Sequence, residues 1–124
     1  MASGAKPGQT GTEMSIQDPK HQAAVAAAAD TAESVLPLFE AHRPDDQRPR
    51  LAIEAARAWV RGELSVGEAR TAAFGAQAAA RACTDPAAKS AARSAGHAAA
   101  TVHVASHAPH AAKYAELARA GVAD

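Results

Sequence analysis

The sequence predicts an all-α fold, a bundle of four to five antiparallel helices with a disordered N-terminal tail. Alanine supplies about three residues in ten, and it is the strongest helix former because it loses no side-chain entropy on folding. Aspartate–proline pairs favour the first turn of a helix, and they occur at Asp18-Pro19 and Asp85-Pro86. The segments between the predicted helices are only a few residues long, and short connections favour antiparallel neighbours.

The N-terminal part of the chain contains the tail and the first helix. Residues 1–17 are rich in Gly, Ser, Thr and Gln and have almost nothing to bury, which is typical of a flexible tail. Asp18 is the predicted N-cap of helix one, which runs to about Ala41 or His42. Pro37 removes one backbone hydrogen bond inside this helix and is expected to kink it.

Helices two and three are defined by turn residues and by one capping motif. Helix two is predicted over about 47–61 and ends at Gly62, a residue that favours helix C-termini. Ser65 and Glu68 fit the capping box S-x-x-E, in which each side chain binds the backbone amide of the other residue. Helix three runs from this capping box to about Cys83.

The C-terminal part of the chain contains a fourth helix that begins at Asp85-Pro86 and is interrupted by Pro109. Residues 110–120 either continue this helix past a kink or form a short fifth helix that Gly121 closes. A chain of 124 residues is long enough for one small domain, so residues 18–121 are predicted to form a single helical-bundle domain.

Composition and charge exclude several classes of protein. Thirteen basic and thirteen acidic residues give zero net charge, so the chain lacks the basic field that nucleic-acid binding requires. No apolar run reaches the length of about 20 residues that spans a bilayer, and the N-terminus lacks the apolar region of a secretory signal. The single cysteine suits a reducing compartment. We therefore expect a cytoplasmic protein with no nucleic-acid or membrane partner.

The predicted core is small because large apolar side chains are few, and aromatic residues make up only 3% of the chain. A buried alanine stabilises far less than the roughly 1.5–3 kcal/mol of a buried Leu or Phe. Stability must therefore come from close contacts between alanine-lined helices. Association into a homodimer is one expected way to enlarge such a core.

Four of the six histidines lie between residues 97 and 110, and this stretch is the strongest candidate for chemistry. On a continuous helix, His103, His107 and His110 share one face with Tyr114, whereas His97 lies on another face. Two histidines at i and i+4 can chelate one metal ion, so a divalent transition metal is a candidate cofactor. The candidate ligands are His97, His103 and His107. A partly solvated histidine face, with His97 as a packed side chain, is the simpler alternative.

Charged stripes on the first three helices are candidates for binding a partner or a metal. The predicted partner-binding residues are the acidic face of helix one and the arginine stripe of helix two: Asp30, Glu33, Glu40, Arg50, Arg57 and Arg61. The helix-one carboxylates are also the candidates to complete a metal site with the histidines. On helix three, Arg70 and Arg81 flank Phe74 and Gln77. Arginine binds carboxylates and phosphates through paired hydrogen bonds, and mutual pairing on a solvated surface is the alternative.

Several short motifs carry a resemblance to a known family. They are Leu-Pro-Leu-Phe-Glu at 36–40, Arg-Pro-Arg at 48–50, Ala-Arg-Ala-Trp at 56–59, and Ala-Gly-His at 95–97 followed by His103. Over residues 18–118 the chain resembles the alanine-rich helical immunity proteins of bacteria, the immunity protein five-like family. The resemblance implies a helical fold and a role in neutralising a toxin by binding it. It also implies a histidine on helix three, where this chain has Gln77.

The preferred interpretation is a small cytoplasmic protein that docks a helix face onto a protein partner without turnover. The sequence leaves open whether the chain is an enzyme, although it contains no G-x-S-x-G, P-loop or dinucleotide motif. Cys83 is a poor nucleophile because it lies near the C-terminus of helix three, where the dipole raises a thiol pKa. The alternative is a metal-binding or metal-dependent helical bundle, which requires helices one and four to be neighbours.

Overall fold

The computed structural model describes residues 18–124, and this part of the chain contains only helices, turns and connecting segments. The α-helices are α1 (Pro19–Glu40), α2 (Arg48–Val60), α3 (Val66–Ala82), α4 (Pro86–His103) and α5 (Ala108–Arg119). A 3₁₀ turn (Ala105–His107) lies between the last two, so the final stretch is a separate fifth helix. The predicted all-α class is confirmed, whereas the tail predicted for residues 1–17 lies outside the described residues. Among the helices of this region, none has the length and apolar character needed to cross a membrane.

Local side chains set the helix ends where the sequence predicts them. The Asp18 carboxylate accepts hydrogen bonds from two backbone amides of the first turn of α1, at 3.1 and 3.3 Å. Ser65 and Glu68 form the predicted capping box, with both hydrogen bonds at 3.0 Å. Asp85 caps α4 in the same way, at 2.9 Å. The helix α1 continues through Pro37 to its end at Glu40.

The central helix of the bundle is α4, which packs against all four other helices. Its buried residues are small: Ala88, Ser90, Ala91, Ala92, Ser94, Ala95, Gly96, Ala98, Ala99, Thr101 and Val102. Small side chains allow neighbouring helices to approach closely, which is how a chain with few large apolar residues excludes water. The buried hydroxyl groups of Ser90, Ser94 and Thr101 each donate to a backbone carbonyl, at 2.6–2.8 Å.

The two largest fully buried side chains of the described residues are aromatic. Trp59 on α2 is 1% exposed, and Phe39 on α1 is fully buried in a second part of the core. The ring of His21 packs against Trp59 with centroids 4.9 Å apart, and its Nε2 atom lies 2.7 Å from the carbonyl oxygen of Thr101. These contacts join α1 and α2 to α4. Helices one and four are therefore neighbours, as the metal-binding alternative requires.

Candidate functional site: a groove between α3 and α4

A groove with a volume of about 450 Å³ lies between α3 and α4. The residues that line it are Arg70, Ala73, Phe74, Gln77 and Arg81 of α3, and Gly96, His97, Ala100, His103 and His107 of α4 and the following turn. We call this surface the α3–α4 groove. Its polar and aromatic residues on α3 recur at i, i+4, i+7 and i+11, which places them on one helical face. The sequence contains this pattern, but it does not indicate which residues form the opposite wall.

Arg70 and Arg81 differ from the other arginines of residues 18–124. They are the two in this range whose side chains make neither a hydrogen bond nor an ion pair with another residue. The Arg70 guanidinium lies over the Phe74 ring, 5.6 Å from its centroid, and Phe74 is 62% exposed. An exposed aromatic ring beside an arginine is a composition that protein-binding hot spots favour.

Gln77 crosses the floor of the groove because Gly96 has no side chain. A Cβ atom placed on Gly96 would lie 2.9 Å from the Cδ atom of Gln77, which is closer than real side chains pack. The Gln77 amide instead donates a hydrogen bond of 3.4 Å to the carbonyl oxygen of Arg93. The position at which the family resemblance implies a histidine therefore lies in the α3–α4 groove.

We expect Gly96→Ala to change stability differently in two backgrounds. In the native chain the new methyl group must displace Gln77, which offsets the advantage of about 1 kcal/mol that alanine has over glycine in a helix. In a Gln77→Ala background the same substitution should raise the free energy of unfolding by about 0.5–1 kcal/mol. Urea unfolding of the four proteins measures the difference. Equal effects in both backgrounds would show that the two positions do not interact.

The stretch that carries four histidines is not one continuous helix. The helix α4 ends at His103, and Val104 is extended, with φ −140° and ψ 117°. Pro109 lies in the first turn of α5, where backbone N–H groups have no partner within the helix. Its missing N–H group therefore costs no helical hydrogen bond. The predicted common face of His103, His107 and His110 is therefore wrong, because the chain leaves the helix between the first and the second of them.

His97 lies at the centre of a group of rings where α5 packs against α4. We call His97, His107, His110 and Tyr114 the histidine cluster. The Nδ1 atoms of His97 and His107 are 3.0 Å apart, so the N–H group of one ring donates a hydrogen bond to the unprotonated nitrogen of the other. The rings of His110 and Tyr114 lie 5.2 and 5.3 Å from that of His97, and the Tyr114 ring is almost parallel to it. The prediction that His97 points away from the other histidines is therefore also wrong.

Burial keeps His97 uncharged near neutral pH. Desolvation, together with the nearby positive groups of the histidine cluster, Arg93 and Lys113, lowers the pKa of His97 to about 4. Desolvation also lowers the pKa of His107. The Asp124 carboxylate is engaged with Arg93 at 3.4 Å and with Lys113 at 2.9 Å. Protonation of His97 therefore places a charge among basic neighbours.

We expect the protein to lose stability as the pH falls from about 6.5 toward 4. In this range the unfolded chain binds a proton at His97 that the folded chain does not bind, so protons favour unfolding. Because the ring is only partly buried, solvent screens part of this effect, and the loss between pH 7 and pH 4.5 should be about 1–2 kcal/mol from this residue. Urea unfolding at the two pH values measures it. The difference should shrink in His97→Gln and persist in His42→Gln, and an unchanged difference in His97→Gln would contradict the assignment.

The six residues predicted to bind a partner lie together, but they are engaged with one another or with a neighbour. Side-chain hydrogen bonds join Arg50 to Glu40, Arg57 to Asp30 and Glu33, and Arg61 to Glu63. We call the six residues the α1–α2 ion-pair surface. Arg50 holds Glu40 through two hydrogen bonds, of 2.8 and 2.7 Å. The helix-one carboxylates thus face α2, and the structure does not bring them to the histidines although α1 and α4 are neighbours.

The predicted metal ligands are only partly brought together. His97 and His107 meet, whereas His103 is exposed at the edge of the α3–α4 groove. Within residues 18–124, no group of three or more His, Cys, Asp and Glu side chains is arranged to hold a metal ion. Cys83 is buried in the core, and this burial raises the pKa of its thiol.

The architecture and the groove define a small, alanine-rich helical-bundle protein built around one buried central helix. Residues 14–121 match the family model described as Imm-5 like putative immunity protein. This match covers most of the sequence, so the chain belongs to that family, and the resemblance predicted from its motifs is confirmed. Comparisons with curated proteins and with solved structures found no match.

Proposed function

We propose that this protein is a cytoplasmic immunity protein that neutralises a protein toxin by stoichiometric binding, without turnover. Membership of the immunity-protein family supports a protein partner. The observation that carries the proposal further is the exposed ring of Phe74, which Arg70 and Arg81 flank. Neither arginine forms a hydrogen bond or an ion pair with another side chain of residues 18–124. Such groups gain hydrogen bonds and lose apolar exposure when a second protein covers them.

Two surfaces are available for this interaction. The α1–α2 ion-pair surface is exposed, but a partner that binds its arginines must first replace their carboxylates. Exposed ion pairs contribute only about 0–1 kcal/mol, so replacing one by another gains little. Within residues 18–124, the arginines of the α3–α4 groove have no such contact to lose. We therefore propose the α3–α4 groove as the main contact and the α1–α2 ion-pair surface as an additional one.

Co-expression with a neighbour-encoded toxin tests this function. Cells that produce the toxin domain encoded beside this gene should survive when they also produce this protein. A catalytically inactive form of the toxin should co-purify with it in a 1:1 complex. The proposal is overturned if no protein encoded beside the gene forms a complex with it and no protection is seen.

The contact between His97 and His107 favours metal binding as a second candidate function. One N–H hydrogen bond joins their Nδ1 atoms, which are 3.0 Å apart, and a transition-metal ion could replace its proton. The exposed His103 is the candidate third ligand. Untagged protein that contains stoichiometric zinc, copper or iron, lost in a His97→Ala/His107→Ala variant, would support this function. Metal-free protein whose Tm does not change on addition of zinc chloride would exclude it.

A further inference from the structure

We infer that the α3–α4 groove binds an acidic segment of the partner protein that also carries a large apolar side chain. The inference rests on the proposed function and names the chemistry of the partner at that surface. Charge complementarity and the exposed ring of Phe74 are the observations that lead to it.

The charge of the α3–α4 groove is of one sign. None of the residues that line it, all within the described part of the chain, carries a carboxylate. Arg70 and Arg81 supply its permanent positive charge, and a partner carboxylate can accept two parallel hydrogen bonds from each guanidinium. Elsewhere in residues 18–124, ion pairs between neighbouring side chains neutralise most arginines. The zero net charge of the whole chain therefore conceals a local excess.

The spacing of the two arginines sets the length of the segment. Arg70 and Arg81 are three turns apart on α3, which corresponds to about 16 Å along the helix axis. An extended segment of about five residues spans this distance, and so does a helix of about eleven residues. The partner segment should therefore place acidic residues at its two ends.

Part of the groove between the two arginines is apolar. Phe74 lies between the two arginines in sequence, and Ala73, Gly96 and Ala100 form the adjoining surface. A leucine, phenylalanine or tryptophan of the partner can cover the Phe74 ring and remove apolar area from water. The partner segment should therefore carry its apolar side chain between its acidic residues.

Phosphate groups of a nucleic acid also bind arginine, but the observations favour a peptide. Nucleic-acid binding without sequence preference uses a basic groove and several aromatic platforms. The α3–α4 groove offers two arginines and one exposed phenylalanine, on a chain without net charge. Binding of an oligonucleotide is therefore an outcome that the experiment must be able to report.

Selection from a random-peptide phage library on the immobilised full-length chain tests the inference. Enriched peptides should combine Asp or Glu with an aromatic or large aliphatic residue, and synthetic copies should bind more weakly as sodium chloride is raised. Their affinity should fall at least tenfold for Arg70→Ala/Arg81→Ala and also for Phe74→Ala. The matched control Arg43→Ala/Arg119→Ala, which removes two exposed arginines outside both surfaces, should bind them within about threefold of the parent. Circular dichroism confirms that all variants are folded.

The inference is overturned if no peptide is enriched, if the enriched peptides lack acidic residues, or if the groove variants bind them as tightly as the parent. Tighter binding of a single-stranded oligonucleotide than of any selected peptide would overturn it as well. The selection contains no toxin, so its result is separate from the co-expression experiment. If the groove variants still protect cells that produce the toxin, the proposed function holds. The toxin then binds another surface, and the inference about the groove is overturned.

Discussion

Replacing Trp59 by alanine should lower the free energy of unfolding by about 3–5 kcal/mol, a large part of the stability of a domain of this size. Trp59 is 1% exposed and is the largest fully buried side chain of the described residues. Its surroundings are mostly alanines on closely packed helices, which cannot collapse far into the space that the indole leaves. His21 also loses the ring against which it packs. Urea or thermal unfolding measures the effect.

Phe74→Ala is the matched control, because it also truncates an aromatic side chain on a helix. Phe74 is 62% exposed, so its removal should change the free energy of unfolding by no more than about 0.5 kcal/mol. Similar losses for the two variants would contradict the described division between core and surface. The same control variant should lose affinity for the partner while remaining folded.

The double substitution Arg70→Ala/Arg81→Ala should weaken binding of the toxin by about 100-fold or more. Central arginines of protein interfaces often contribute about 2 kcal/mol or more each when truncated, and two such losses exceed a factor of 100. Stability should be unchanged because neither side chain makes a hydrogen bond or ion pair within residues 18–124. Isothermal titration of the inactive toxin domain measures the affinity.

The comparison for this prediction is Arg50→Ala/Arg61→Ala, which removes two exposed arginines from the α1–α2 ion-pair surface, the proposed additional contact. Its affinity should remain within about threefold of the parent, since exposed ion pairs of this kind contribute little. A large loss in this variant, together with normal binding by the groove variant, would place the interface on the surface predicted from the sequence.

Local chemistry made much of the fold predictable from the sequence. The side chains of Asp18, Ser65 and Asp85 bind backbone amides within three residues of themselves, so the signal and its effect lie in the same short segment. The helix starts that these contacts predict lie within one or two residues of those in the structure. The choice between a kinked fourth helix and a separate fifth helix is different, because Pro109 is compatible with both.

The arrangement of the histidines depends on tertiary contacts that no local pattern contains. The helical period places His97 and His107 on different faces only if one helix contains both residues. The extended backbone at Val104 ends the helix between them, so the period does not apply. The buried alanines of α5, Ala111, Ala115 and Ala118, give it one small-residue face that packs on α4. The contact between His97 and His107 is a consequence of this packing.

Only one side of the candidate site can be predicted from the sequence. The α3 side of the groove follows from the spacing of Arg70, Phe74 and Arg81, which the sequence leaves open as a binding surface or a solvated stripe. The importance of this stripe depends on two facts about other helices. Gly96 opens the opposite wall, and the other arginines find carboxylates on neighbouring segments. Both require knowledge of which helical faces meet.

Titration of toxin activity against this protein is the most direct test of the proposed function. A fixed amount of the neighbour-encoded toxin is mixed with increasing amounts of this protein, and the remaining toxin activity is measured after equilibrium. We expect the activity to fall in proportion to the protein added and to vanish near a molar ratio of one, with the toxin recovered chemically unchanged. Complete loss at a ratio far below one, with a covalently altered toxin, would identify an enzyme and contradict stoichiometric binding, as would full activity at a large excess.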